Sequence, residues 1–167
     1  IRDAAAVDHM VDGIFATGPL TDLVNNAAGN FISRTQDLSP RGFDAIANIV
    51  MHGTFYVTHA VGKRWIAGKH RGNVVSIVTT WVRNGGPFVV PSAMSKAAVH
   101  AMTMSLAAEW GQPERLLKLL DRSDTPQARR IKIISLLGEM QADEAMPKLK
   151  EVLKDRGLAK QAIAAMS

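Results

Sequence analysis

The chain has 167 residues, 47% of them hydrophobic, a formal charge of +5 at pH 7 and no cysteine. That composition suits a globular fold, excludes disulfide and thiolate chemistry, and makes a reducing cytoplasmic compartment the expected location. No apolar run approaches the roughly 18 residues of a membrane span, and the basic residues are dispersed without aromatic interleaving, so neither a membrane span nor a nucleic-acid partner is expected.

Taken in order, the chain opens on Ile1 rather than Met, which reads as a trimmed N-terminus. "AAAVDHMVDGIFATG" puts Val7, Met10, Val11 and Ile14 on one helix face and closes at Gly18. "DLVNNAAG" is a short apolar strand entering an Asn/Gly turn. Small residues and a glycine at a strand's C-terminal end let a backbone approach a flat ligand, and open α/β sheets bind nucleotides there. Ser39 caps and Pro40 opens a long helix reaching about Ile66. "GNVVSIVTT" is a β-branched run of buried-strand type, and Gly85-Gly86 follow its end without opening a helix. "FVVPSAMSKAAVHAM" then passes through Pro91 into a helix running to Trp110. Taken alone, Ser92 is the N-cap of that helix and Lys96 a solvated lysine four residues on. Strand, helix, strand, helix without a hairpin signal predicts βαβ units and a parallel sheet.

The composition changes near Gly111. All nine aromatic residues, all five histidines and eleven of the thirteen glycines lie at or before it. A domain boundary is therefore expected at 111–113. The expected fold is α/β over residues 1–111, a partial Rossmann-like parallel sheet with flanking helices, followed by an all-α segment over 112–167. In that segment Ile133, Leu136, Leu137 and Met140 form a helix stripe, Asp143 is an expected cap, and Pro147 is tolerable near the first turn. Leu116 and Leu120 recur as Leu149 and Leu153, and Gln127-Ala128 as Gln161-Ala162, at spacings of 33 and 34 residues. Such spacing marks stacked helix pairs. "LGEMQADEAMPKLKEVLKD" resembles HEAT-like repeats, and a generic helical bundle would show the same stripes.

The order of blocks in residues 1–111 resembles the short-chain dehydrogenase/reductase family. "NNAAGNF", "PFVVPSAMSKAAV" and "SLAAEWG" resemble in particular its 2,4-dienoyl-CoA reductase branch, in which Ser replaces the usual tyrosine before the lysine. The resemblance implies NADP(H) as cofactor, an acyl-CoA thioester as substrate, and hydride transfer to a conjugated dienoyl group. Lys96 would then hold the nicotinamide ribose with Ser92 beside it, and Asn25, Ala27 and Gly29 would line the ribose side. Thr79 stands where the family often has a catalytic serine. Trp81 stands where the branch has a tyrosine, and its indole N–H can donate but cannot act as a phenol acid. His52 replaces a helpful asparagine just before the Gly53-Thr54 pair, and a histidine buried in packing is an equal reading. The resemblance also implies an oligomer formed through the long helix and the helix from Ser92 to Trp110.

The family's glycine-rich phosphate turn and adenine-reading aspartate would fall before Ile1, and helical repeats stand where its last strands and substrate lid belong. These departures make the chain read as part of a reductase joined to part of a helical array, by natural fusion, engineered chimera or frame shift, and inactive alone. With two strands only, the reductase piece is expected to be unstable by itself. Other chemistries find no support: Ala93 stands where an SxxK dyad needs serine, GxSxG, HExxH and GxxxxGK[ST] are absent, and the histidines lack metal-ligand spacing. A protein-interaction module built on the helical repeats is the alternative reading.

Overall fold

A computed structural model describes residues 1–111 and 113–166. The chain divides into two compact units, Ile1–Thr103 and Met104–Ser167. Gln112, with which the helical segment was expected to start, and the final Ser167 lie outside the described residues.

The first unit opens with α1 (Ala4–Phe15), whose N-cap Asp3 accepts a hydrogen bond from Ala6 N at 3.0 Å. Val7 and Val11 are buried, but Met10 is 47% exposed. The reason is that α1 packs against one helix, α3, which covers only a narrow stripe. Strands β1 (Asp22–Asn25) and β2 (Asn73–Ser76) pair in parallel, with Val24 opposite Val75 and Asn25 opposite Ser76. Between them run α2 (Pro40–Ala47), a π turn (Asn48–His52) and α3 (Gly53–Ala67). Ser39 Oγ accepts from Gly42 N at 3.1 Å, so this helical run starts where its cap chemistry places it. A short turn, α4 (Trp81–Asn84), and the long α5 (Val90–Trp110) follow. Gly85 and Gly86 therefore follow a helical turn, not a strand end, and Gly85 has the positive φ of +66° that glycine adopts without strain.

Period-2 alternation sends Leu23 and Val74 to one face of the sheet and Val24 and Val75 to the other. Leu23 and Val74 join Val7, Val11, Ala60, Val61 and Trp65 in the core. Val24 and Val75 are 60% and 51% exposed. β2 is thus not buried on both faces as its composition suggests, because helices cover one side only. Trp65 is the largest member of this core, and its indole Nε1 donates to Leu20 O at 2.7 Å. Gly72 leaves the space the indole occupies. Arg64 ties α3 to α1 through Asp8 at 2.9 Å and Asp12 at 2.5 Å.

The second unit contains α6 (Pro113–Asp121), α7 (Gln127–Glu139), α8 (Met146–Val152) and α9 (Ala159–Ala165). Helix α7 packs against both α6 and α9. Being covered on two sides, it buries Ile134 completely, a residue outside the expected stripe, together with Ile133 and Leu137. Leu136 and Met140 are only half-buried. Asp143 is not a cap: Ala142 holds that position ahead of a 3₁₀ turn over Asp143–Ala145, and Pro147 sits in the first turn of α8. Repeated leucines do not take matching places, since Leu120 is 1% exposed and Leu153 is 37% exposed. A Cβ on Gly138 would stand 2.5 Å from Ala165 Cα, so α7 and α9 meet through bare backbone. Gly138→Val is expected to lower stability by about 1–3 kcal/mol through overpacking, read from the urea midpoint of the helical circular-dichroism signal.

Candidate functional site

The C-terminal ends of β1 and β2 lie side by side, and the site grows from what holds them there. Asn25 ends β1 and is 6% exposed. Its Nδ2 donates to Thr58 Oγ1 of α3 at 2.8 Å and to Ser76 Oγ of β2 at 3.5 Å. Thr58, fully buried, in turn donates to Thr54 O at 2.8 Å. Ser76 Oγ also lies 3.4 Å from Thr103 Oγ1 of α5. A buried polar chain thus joins both strand ends to both helices. Asn25→Ala would leave Thr58 and Ser76 without the amide and is expected to cost about 1–3 kcal/mol, measured by urea unfolding of the full chain.

Beyond Asn25 the chain turns through Ala27 and Gly29, and beyond Ser76 it continues through Ile77 to Thr79. Lys96 reaches both segments from α5. Its Nζ donates to Ala27 O at 2.9 Å and to Ile77 O at 2.5 Å, tying the two loops together. Lys96 is 5% exposed, and burial lowers its pKa from the ordinary lysine value. It is therefore not a solvated lysine. Of its three ammonium protons two are engaged, and one is left without a protein acceptor among the described residues.

Ser92 precedes Lys96 by four residues and so shares its face of α5. It is not an N-cap: α5 begins at Val90, and Ser92 lies buried inside the first turn. Among the described residues its hydroxyl has no hydrogen-bond partner. Thr79 is half-buried, and its Oγ1 accepts weakly from Trp81 N at 3.4 Å. Trp81 opens α4, half-buried, with its indole beside Gly86. Gly29 faces Ile46, which a Cβ would approach to 3.3 Å. His52 stands apart from this group. It is exposed rather than buried in packing, its Nδ1 lies 2.9 Å from Asn48 Oδ1, and its ring faces Tyr56.

Sequence reasoning missed Thr58, Ser76 and the Ile77 carbonyl. The first two had only a faint signal, a hydroxyl within an otherwise apolar run. Among the described residues no group of histidines and carboxylates could hold a metal ion, and no helix is long and apolar enough to cross a membrane.

Residues 1–114 match the family model for short chain dehydrogenase. The Caenorhabditis elegans protein named "Probable 2,4-dienoyl-CoA reductase 3" is 53% identical over 115 residues, covering 67% of this chain and 37% of that protein. A Bacillus subtilis protein named "Probable 2,4-dienoyl-CoA reductase" is 41% identical, covering 65% of this chain and 43% of that one. The crystal structure of a short chain dehydrogenase from Bacillus anthracis superposes with a TM-score of 0.64 at 44% identity, covering 66% of this chain and 45% of that chain. The chain therefore spans less than half the length of these relatives. Other matched proteins carry peroxisomal names, among them one from Arabidopsis thaliana at 38% identity.

Proposed function

The chain belongs to the short chain dehydrogenase family, and from that premise we propose that it carries the nicotinamide-ribose end of an NADP(H) site and the thioester-facing residues of a 2,4-dienoyl-CoA reductase. The observation that carries this reading is the placement of Lys96. Its buried amine joins the Ala27 and Ile77 carbonyls at the ends of two parallel strands and has a donor to spare. That spare N–H suits a ribose hydroxyl, and Ala27 and Gly29 leave the approach low. Asn25 serves the site from beneath, by holding the strand ends. Bound cofactor would supply the hydride for the conjugated thioester. Ser92, Thr79 and the Trp81 indole are the available donors for the thioester oxygen, where negative charge develops. His52 lies on the exposed helix surface and is a weaker candidate for that task.

The fit is confined to one end of the cofactor. No glycine-rich turn opens a helix anywhere in the 167 residues, so nothing in them offers the pyrophosphate a backbone cradle. We therefore propose weak cofactor binding and no turnover by these residues alone. Supplying NADPH and a dienoyl-CoA thioester to the chain and following NADPH absorbance tests this. No consumption is expected, and steady consumption would contradict it.

A second reading rests on surfaces that stay open. Leu119 and Leu153 remain exposed on the HEAT-like helical unit, and Phe55 on α3 and Met94 on α5 are 51% and 55% exposed. These suit a protein partner or a homo-oligomer. A strictly monomeric species by light scattering, with no partner recovered in pulldown, would contradict that reading.

A further inference from the structure

A lysine ammonium has three N–H donors, whereas the neutral amine has two donors and a lone pair. Lys96 meets two acceptors, the carbonyls of Ala27 and Ile77. None of the ion pairs among the described residues includes it. The two carbonyls therefore satisfy the neutral amine completely and leave the ammonium one proton without a protein partner. Burial acts in the same direction, because nothing negative offsets the loss of water around the charge. With Cε and two N–H groups filling three tetrahedral positions on Nζ, the lone pair takes the fourth. The residues following the two acceptors, Ala28 and Val78, are exposed, so the amine lies just beneath the surface.

We propose that Lys96 is an acylation site whose amine takes the acyl group of a CoA thioester. The Nζ lone pair attacks the thioester carbonyl carbon and forms a C–N bond. The C–S bond breaks with its electron pair passing to sulfur, and the proton lost by nitrogen goes to the thiolate. The products are an amide at Lys96 and free CoA thiol, with no oxidant or reductant needed. An amide nitrogen keeps one N–H, so one of the two loop carbonyls loses its donor and the tie between the strand ends loosens. The choice of a CoA thioester rests on the proposed function; the arrangement of the amine does not.

The test incubates the full chain with acetyl-CoA and no NADPH. Because the chain has no cysteine, every thiol that appears is released CoA, and no cysteine can relay the acyl group. Peptide mass mapping is expected to place one acetyl group on Lys96, at about ten times the rate of the exposed Lys118 and Lys154. Lys96→Arg is expected to abolish that fast release of thiol. Label spread over exposed lysines with Lys96 unmodified would overturn the proposal, and because the map is made on the native chain this holds even where the variant misfolds. NADPH titration of the same sample separates the two readings. Acetylation without cofactor binding sustains the acylation site and removes the cofactor site, and the converse result does the opposite.

Discussion

Trp65→Ala is expected to lower the stability of the Ile1–Thr103 unit by about 3–5 kcal/mol, the range for truncating a buried aromatic side chain. Trp65 is 6% exposed and packs with the helix pair α1 and α3 and with the sheet residues Leu23 and Val74. Its removal leaves a cavity where these elements converge, and the backbone at Gly72 loses the ring it abuts. A domain whose net stability is about 5–15 kcal/mol has little margin for that loss, and a sheet covered on one face has less. Trp65→Phe separates the contributions. It keeps most of the ring but removes the N–H donated to Leu20 O, and is expected to cost about 1 kcal/mol for that hydrogen bond, plus a smaller packing loss. Urea unfolding followed by circular dichroism checks both variants, since fluorescence would lose its probe.

Lys96→Met is expected to abolish cofactor binding and to change how stability responds to alkali. Burial holds the folded-state pKa of Lys96 below the ordinary lysine value of 10.5. As pH rises through that interval, the folded chain releases the proton before the unfolded chain does. The unfolded state then binds more protons, so stability rises with pH from the lowered value up to the ordinary one. Lys148 behaves oppositely: hydrogen bonds to Asp121 and Glu151 raise its pKa, and its contribution is lost only above the ordinary lysine range. The rising limb below that range therefore belongs to Lys96. Urea midpoints across neutral to alkaline pH are expected to climb in the native chain and to stay flat over the same interval in Lys96→Met. A climb of equal slope in the variant would assign the effect elsewhere.

Much of the first unit could be read from local chemistry. The Ser39 cap, the proline after it and the Asn/Gly turn after β1 each act within a few residues of themselves, so their outcome is written where they stand. The family blocks added the order in which strands and helices meet. What escaped depends on distant partners. Ser92 looks like a cap because it follows a proline, but proline is tolerated in a first turn, and the helix begins ahead of it at Val90. Lys96 looks solvated because its partners are backbone carbonyls 69 and 19 residues away, and a sequence does not display carbonyls. The π turn at Asn48–His52 has no local breaker to announce it. β-branched residues in β2 record a preference for strand and not which faces are covered, so Val75 gave no sign of its exposure.

The site reading makes one demand that separates it from a relic of the fold. If Lys96 and the loops it joins hold the nicotinamide ribose without a phosphate cradle, reduced nicotinamide mononucleotide should bind as well as NADPH. Nicotinamide fluorescence titration of the full chain is expected to saturate in the millimolar range for both ligands and to be lost in Lys96→Met. No saturable binding of either ligand at millimolar concentration, or binding that survives Lys96→Met unchanged, would contradict the account.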